Sequence, residues 1–253
     1  MGEPVIFANM IVKNEELLLP ISIASIYDAV DEIVVLDNES TDNTIETLQP
    51  FADKVKLLQS ASQDFSDLRN MVLFNSNDAD FIIKIDADEI LFEKFAQSIR
   101  PIAAEMIDKK VHTMKCWFYH MLKDLRHIHN EGEDAKDPRY HRIFMFRNAV
   151  GQIKWVSPVH EYLLGLPEFP FLDTELFYMH LGYSKSQRAV FNRWKLYSDL
   201  EGQEHFYDGT NPETILDDRQ MIPYNGLLPE ALIKYLDKNK MTVEEFEKRL
   251  TNV

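Results

Sequence analysis

The segment KIDADEIL, residues 84–91, carries three acidic side chains almost directly after the apolar residues 81–83. Asp86, Asp88 and Glu89 are close enough to repel one another, and burying each one costs several kcal/mol unless a positive charge is near. In an extended segment the two aspartates point to the same side, and carboxylate oxygens suit Mg²⁺ or Mn²⁺. The segment therefore predicts a metal site, and a solvated turn between a strand and a loop is the alternative.

The elements that must position these side chains alternate along the first half of the chain. The apolar runs predict strands over residues 5–12, 32–37, 55–60 and 79–86. The amphipathic runs predict helices over residues 14–30, 40–51, 64–76 and 92–107. Apolar strands that alternate with helices imply a mainly parallel, Rossmann-like α/β sheet flanked by helices. Such sheets bind ligands at the carboxyl ends of their strands.

The second half has a different pattern. Residues 112–122 and 139–148 alternate like partly exposed strands and predict antiparallel additions to the sheet. The acidic stretch between them, residues 127–138, predicts a mobile loop that closes over a ligand. Residues 184–200 and 227–250 predict C-terminal helices. Thr242 and Glu245 form a capping box within the second of these helices.

The chain is long enough for one large domain, because 45% of its 253 residues are hydrophobic. We expect one domain over residues 1–253, made of two halves at 1–110 and 111–253 rather than of two independent domains. A formal charge of -15 argues against nucleic acid and anionic lipid as main partners. The lone Cys116 excludes an intrachain disulfide and is expected to be buried. Without a transmembrane segment or a signal peptide, the expected location is cytoplasmic.

Four motifs together resemble the family 2 glycosyltransferases of the GT-A fold. In order they are Asn14–Glu15, the acidic turn 37–42, Arg69–Asn70 and the Asp-x-Asp of Asp86 and Asp88. The resemblance covers roughly residues 5–92. It departs from the common pattern in two places, since Ile-Val-Lys stands where many members have Pro-x-Tyr, and Asp-Asn-Glu stands where many have Asp-Asp-Gly.

The resemblance implies an enzyme that moves a sugar from a nucleotide diphosphate, with UDP favoured, to an acceptor hydroxyl with inversion. Its implied donor-binding residues are Ile11, Lys13, Glu15, Asp37, Arg69, Asp86 and Ala87. Its implied ligands for Mn²⁺ or Mg²⁺ are Asp86, Asp88 and His180. Arg69 can fork onto phosphate oxygens, and Lys84 is a further source of positive charge.

The segment WVSPVHEYL resembles the His-Glu element that some members carry. The resemblance favours Glu161 as the general base that removes the acceptor hydroxyl proton. A surface glutamate is the structural alternative. His160 could orient Glu161 or contact phosphate. Trp155 is expected to lie mostly in the core, although a sugar can stack on an exposed tryptophan face. His127 and His129 lack partner ligands at fixed spacing, so they are interpreted as solvated rather than as zinc ligands.

Three other functions share parts of this pattern. A sugar-1-phosphate nucleotidyltransferase needs a glycine-rich phosphate loop, and MIVKNEE contains no glycine. A haloacid dehalogenase-type phosphotransferase also uses Asp-x-Asp after an apolar strand, but near the start of its chain. A non-catalytic nucleotide-sugar-binding protein would bind without turnover. The sequence leaves the acceptor open among glycans, lipid-linked molecules reached by a peripheral enzyme, and small molecules.

Overall fold

The computed structural model describes residues 2–130, 140–149, 151–167, 170–203 and 205–252, apart from the side chain of residue 141. The strands are β1 (Ile6–Val12), β2 (Glu32–Asp37), β3 (Val55–Gln59), β4 (Phe81–Lys84), β5 (Glu89–Leu91), β6 (Thr113–Leu122), β7 (His127–His129), β8 (Tyr140–Arg147), β9 (Lys154–Val156), β10 (Tyr162–Leu164), β11 (Leu172–Tyr183) and β12 (Met221–Pro223). The α-helices are α1 (Leu19–Ile26), α2 (Phe65–Phe74), α3 (Glu93–Lys109), α4 (Gln187–Leu200), α5 (Glu230–Lys238) and α6 (Val243–Leu250). Two 3₁₀ helices span Tyr27–Ala29 and Glu46–Phe51.

One large sheet carries most of the strands, in the order β12-β7-β6-β8-β4-β1-β2-β3. Strands β4, β1, β2 and β3 run parallel to one another, whereas β8 is antiparallel to both β4 and β6. Strand β11 pairs in parallel with β6 and antiparallel with β5. The predicted α/β class, with a parallel first half and a mixed second half, is confirmed. Strands from both sides of residue 110 share the sheet, because β8 lies between β4 and β6.

The side chains of β1 point alternately to the two faces of the sheet and pack against helices on each face. Ala8 and Met10 pack with Ile23 of α1 and with the α3 side chains in one buried cluster. Phe7 points to the opposite face, where Leu68 of α2 belongs to a second cluster. Successive residues of a strand face opposite sides, so β1, which is apolar except for Asn9, requires helices on both faces. Because helices cover the two faces, the ends of the parallel strands stay accessible.

Side-chain caps fix where the helices near this edge begin. The Asp64 carboxylate accepts hydrogen bonds from the backbone amides of the first turn of α2. The Ser186 hydroxyl accepts from the Ala189 amide at the start of α4, at 3.1 Å. The predicted capping box of Thr242 and Glu245 is present at α6. Each cap satisfies amides that have no partner within the helix.

The predicted helix over residues 40–51 is wrong, because only Glu46–Phe51 is helical and that turn is a 3₁₀ helix. The polar side chains of this stretch bind the loop that follows β1 instead. The Thr41 amide donates to Asn14 at 2.8 Å, and the Thr44 hydroxyl accepts from the Glu15 amide at 2.7 Å. Such side-chain bonds to backbone compete with helix formation.

The predicted loop over residues 127–138 is wrong at its start, because His127–His129 forms β7 between β6 and β12. His129 is buried, against expectation, and its Nδ1 lies 2.8 Å from the Tyr140 hydroxyl. His127 is half-buried and pairs with Asp124 at 2.9 Å. Residues 131–138 lie outside the described residues, so the expectation of a closing loop stays a prediction.

Two further structural expectations for the second half concern Cys116 and the C-terminal helices. Cys116 is buried in β6. The predicted helix over residues 227–250 is two helices, α5 and α6, separated by a turn at Asn239–Thr242 in which Lys240 has a φ of 50°. Within the described residues, none of the helices combines the length and apolar character needed to cross a bilayer.

Candidate active site

A cavity of about 870 Å³ opens at the carboxyl ends of β1 and β4 and is closed on its far side by β6, β11 and α4. Most of the site residues predicted from the sequence line it. They are Ile11, Lys13, Glu15, Arg69, Asp86, Ala87, Asp88, His160, Glu161 and His180. Its volume lies within the range of small-molecule sites. The fold therefore brings residues from positions 11 to 180 to one cavity.

Asp86 lies in the turn after β4, which ends at Lys84 rather than continuing through the aspartates. The Asp86 carboxylate is ion-paired with Arg69, and Arg142 Nη1 lies 4.0 Å from its other oxygen. Burial opposes ionisation of Asp86, but the nearby charges of Arg69, Lys84 and Arg142 outweigh it and lower its pKa. Asp86 is therefore ionised, and its carboxylate oxygens are already paired with the two arginines.

Asp88 faces a different set of cations. Its Oδ1 lies 3.3 Å from His180 Nε2, and its Oδ2 lies 3.3 Å from Lys185 Nζ and 3.6 Å from Arg193 Nη1. Burial opposes its ionisation, but Lys185, His180 and Arg193 hold its pKa well below the usual range. Lys185 is also ion-paired with Glu15. The repulsion between the two aspartates is thus relieved by separate groups of positive side chains.

The buried Glu89 side chain holds the turn that contains Asp86 and Asp88. Its Oε2 accepts from the Asp86 amide at 2.9 Å and from Arg142 Nη2 at 2.5 Å, and its Oε1 accepts from the Tyr178 hydroxyl at 3.2 Å. Burial raises the pKa of Glu89, although the Arg142 charge acts in the opposite direction. The carboxylate therefore fixes both the turn and the guanidinium that reaches Asp86.

Glu161 lies on the cavity wall and holds two cations. Its Oε1 is 2.9 Å from Arg69 Nε and 3.0 Å from Lys84 Nζ. Burial opposes its ionisation, but Arg69 and Lys84 lower its pKa below the usual range of a glutamate. The neighbouring His160 is 74% exposed at the cavity mouth, with a φ of 50° and its Nε2 3.7 Å from Glu201. The turn thus puts Glu161 inside the cavity and His160 at its rim.

Two predicted site residues do not line the cavity. Asp37 is buried at the end of β2, where its carboxylate accepts from the Ser40 amide at 3.3 Å. Trp155 is only 6% exposed and packs its ring against Phe146. Asn70 holds the Trp155 backbone through bonds of 2.9 and 2.8 Å. In this state Asp37 shapes the turn that leaves β2, and Trp155 belongs to the core.

Sequence reasoning missed several residues of the cavity, among them His120, Arg142, Lys185 and Arg193. No motif marks them, since His120 and Arg142 come from sheet strands and Arg193 from an amphipathic helix. The one available signal was the pair Lys185 and Arg193 around the start of a helix that follows His180. A basic helix start in a chain of charge -15 is compatible with an anionic ligand.

The donor atoms beside Asp88 suit a divalent cation only in part. Asp88 and His180 offer one oxygen and one imidazole nitrogen, 3.3 Å apart, to the cavity. In the described part of the chain, no three His, Cys, Asp or Glu side chains are grouped so that they could hold a metal ion. Mg²⁺ commonly takes one or two carboxylates and completes its shell with phosphate oxygens and water. Asp88 and His180 could supply two ligands to such a cation, and its other ligands would have to come from outside the protein.

The family of the chain follows from its sequence. The sequence model of glycosyl transferase family 2 matches residues 9–152, which hold the strand ends and the acidic turn described above. This match spans more than half of the chain, so the chain belongs to glycosyl transferase family 2. The resemblance stated from residues 5–92 is confirmed.

Individual relatives are more distant. The glycosyltransferase SunS of Bacillus subtilis is 24% identical over 98% of this chain and 54% of its own length. A TPR repeat-containing protein of Synechococcus elongatus is 40% identical over 32% of this chain and 20% of its own length. Staphylococcus aureus TarS 1–349 in complex with UDP aligns with 83% of this chain and 68% of its own, at 12% identity and a TM-score of 0.47. The chain thus spans about half of SunS and a fifth of the Synechococcus protein.

Proposed function

We propose that the protein is a metal-dependent glycosyltransferase that moves a sugar from a nucleotide diphosphate, most simply UDP, to an acceptor hydroxyl. One observation carries the proposal: cations and two aspartates converge at the carboxyl edge of a parallel sheet, in a chain of strongly negative charge. The cations are Arg69, Lys84, Arg142, Lys185 and Arg193. They supply the local positive charge that an anionic donor requires.

The donor diphosphate would compete for cations that now neutralise carboxylates. Lys185 and Arg193 face Asp88, and Arg69 bridges Asp86 and Glu161. A phosphate oxygen can take over such a charge-assisted bond with little movement of the cation. Lys185 and Arg193 are therefore proposed to bind the diphosphate. Ile11, Lys13, Glu15 and Ala87 are proposed to form the walls around the donor.

Asp88 and His180 are proposed to hold Mn²⁺ or Mg²⁺ together with the diphosphate. The bound cation would supply stabilisation of the negative charge that develops on the leaving diphosphate. Asp86 is proposed to act through Arg69 and Arg142 rather than as a second ligand, because both guanidinium groups lie against its carboxylate. Lys185 and Arg193 would shift from Asp88 onto phosphate oxygens in the loaded state.

Glu161 is proposed as the general base in the donor-bound enzyme. Its carboxylate is ionised, which is the form that accepts a proton, but Arg69 and Lys84 make it a weak base in this state. When the diphosphate draws these cations away, the basicity of Glu161 rises and it can take the proton of the acceptor hydroxyl. Attack from the face opposite the leaving group would invert the anomeric centre.

We also propose a division of labour along the chain. Residues 1–110 would supply most contacts to the donor, and residues 111–253 would supply the acceptor side, with His160 at its mouth. The cavity wall from α4, which includes Trp194 and Tyr197, offers aromatic faces on which a sugar can stack. The acceptor itself stays open among glycans, lipid-linked molecules and small molecules.

A hydrolysis screen tests the proposed reaction without knowledge of the acceptor. Purified protein is incubated with Mn²⁺ and a panel of UDP-, GDP- and dTDP-sugars, and release of the free nucleotide diphosphate is measured. We expect slow release from one donor, which is lost in Asp88→Ala and retained in Asp78→Ala, an exposed carboxylate just before β4. Release of inorganic phosphate from phosphorylated substrates instead would favour the haloacid dehalogenase-type alternative.

A further inference from the structure

His120 lies directly beside the proposed metal ligand His180. Strands β6 and β11 run in parallel with His120 opposite His180, so both side chains leave the same face of the sheet. Their Nδ1 atoms are 2.5 Å apart, and their ring centroids are 4.5 Å apart. Both rings line the cavity. Two histidines that are 60 residues apart in sequence therefore form one hydrogen-bonded pair.

The pair couples the tautomers of the two histidine rings. A bond between two Nδ1 atoms needs a hydrogen on one of them and a lone pair on the other. When His120 donates, neutral His180 carries its hydrogen on Nε2, which then donates to Asp88 3.3 Å away. When His180 donates, its Nε2 keeps a lone pair, and only that tautomer can bind a cation.

The surroundings of His120 keep it able to accept. Its ring is packed against Tyr140 at 4.4 Å, Tyr183 at 4.7 Å and Phe118 at 4.9 Å between centroids. A neutral imidazole can serve as donor or as acceptor, whereas an imidazolium can only donate.

We propose that His120 is a positioning residue, which accepts the Nδ1 hydrogen of His180 and so turns the Nε2 lone pair of His180 toward the divalent cation beside Asp88. A carboxylate in the place of His120 could only accept, and Asp88 would then lose the hydrogen bond from His180 Nε2 when the site is empty. An imidazole at this position can donate to His180 when the site is empty and accept from it when a cation is bound, because its hydrogen can move between its two nitrogens. This inference rests on the proposed metal-dependent function.

The test compares His120→Phe, which keeps a ring but cannot hydrogen-bond, with His120→Gln, whose amide can accept. His127→Phe is the matched control, since His127 lies on the adjacent strand β7 and outside the cavity. Calorimetry measures Mn²⁺ affinity in the presence of UDP, and UDP affinity without metal. We expect His120→Phe to weaken Mn²⁺ binding by roughly 10- to 100-fold, with metal-free UDP affinity unchanged. His120→Gln should recover most of the loss.

A spectroscopic readout on the unsubstituted protein makes the test independent of how the variants fold. Nitrogen-15 NMR of the histidine rings, with diamagnetic Mg²⁺ and UDP, should show His180 with hydrogen on Nδ1. Hydrogen on Nε2 of His180 in the loaded state, or wild-type Mn²⁺ affinity in His120→Phe, would overturn the inference. If the UDP affinity of the wild type is the same with and without Mn²⁺, the proposed metal-dependent function is wrong, and so is the proposed role of His120.

Discussion

At the scale of single residues, the site is a set of buried charges, each answered by a specific partner. Asp86 pairs with Arg69, Asp88 with Lys185 and His180, and Glu161 with Arg69 and Lys84. Burying an unpaired charge is costly, and removing one member of a buried pair is commonly worse than never having had the pair. For variants at these positions, both ligand affinity and turnover should therefore be measured.

Glu161→Gln tests the proposed base. The amide keeps an oxygen for Arg69 and Lys84 but cannot take a proton, so we expect turnover of the identified donor to fall roughly 100- to 10,000-fold. UDP affinity should stay within a few-fold of wild type. Steady-state kinetics and UDP titration measure the two effects, with Glu105→Gln on the surface of α3 as control. Lost UDP affinity with unchanged kcat would instead assign Glu161 to holding the two cations.

Glu15 should give the fold a pH dependence of defined sign. Burial raises its pKa from 4.5 to about 7, against the pull of Lys185. Its contribution to stability is therefore complete below pH 4.5 and is lost as the pH rises through about 7. Glu15→Gln should gain stability relative to wild type across that window, by at most about 1.4 kcal/mol per pH unit.

Urea denaturation at several values between about pH 5 and pH 8 measures this difference for Glu15→Gln. The surface variant Glu105→Gln should show a difference from wild type that does not change with pH. A constant or shrinking gain for Glu15→Gln would show that Glu15 is not buried as a high-pKa carboxyl.

At the scale of elements, the cavity is made where separate pieces of chain end at the same edge. The loop after β1 is tied to the turn after β2, since the Asn14 amide donates to the Ser40 hydroxyl at 2.9 Å. Helix α4 then closes the far side, with Lys185 just before it and Arg193 two turns inside. The helix start is thus placed to present cations across from the acidic turn.

Removal of the α4 cations should affect the diphosphate more than the nucleoside. We expect Lys185→Ala and Arg193→Ala each to weaken UDP binding roughly 10- to 100-fold, the value of a charged hydrogen bond of about 1.5–3 kcal/mol. Uridine should bind as it does to the wild type. Calorimetry with UDP and uridine measures both, and Lys195→Ala, which faces away from the cavity on the same helix, is the control. Equal losses for both ligands would contradict diphosphate contacts.

The first-half elements could be predicted because their signals are local. An apolar run followed at once by carboxylates marks the end of a buried strand, and this placed Asp86 and Asp88 at the ligand edge. The stretch 40–51 was misassigned because its Asn, Thr and Asp side chains bond to the loop after β1, and that partner is distant in sequence. Helical periodicity does not register such competition.

The second-half contributions to the site could not be predicted, because they depend on pairings between distant segments. Lys185 reaches Glu15 across 170 positions, and Arg142 reaches Glu89 across 53. The pairing of His120 with His180 requires β11 to lie parallel to β6, a register that neither strand specifies alone. His129 was misread as solvated for the same reason, since its burial comes from a neighbouring strand.

At the scale of the whole molecule, the two halves of the chain are interleaved in one sheet. Strand β8 from the second half hydrogen-bonds with β4 from the first half on one side and with β6 on the other. We therefore expect a fragment of residues 1–110 to lack cooperative unfolding, because β4 would lose its neighbour and expose its apolar edge. Circular dichroism during urea denaturation measures this, with the full chain as reference. A sharp transition in the fragment would show two independent domains.

The charge of the molecule is distributed to suit the proposed ligand. The chain carries 42 acidic and 27 basic side chains. Among the described residues, five of the basic groups nevertheless lie against the carboxylates of one cavity: Arg69, Lys84, Arg142, Lys185 and Arg193. The proposed anionic donor would then be held by local cations and a metal rather than by the overall field. The central claim is that this cavity binds a nucleotide diphosphate through Asp88 and a divalent cation.

The most direct test is calorimetric titration with UDP, GDP and dTDP, each with and without Mn²⁺, on the wild type, Asp88→Ala and Asp78→Ala. The account predicts that one nucleotide, most simply UDP, binds the wild type and Asp78→Ala tightly only when Mn²⁺ is present, and that Asp88→Ala loses this binding. Failure of all three nucleotides to bind the wild type, with or without Mn²⁺, would contradict it.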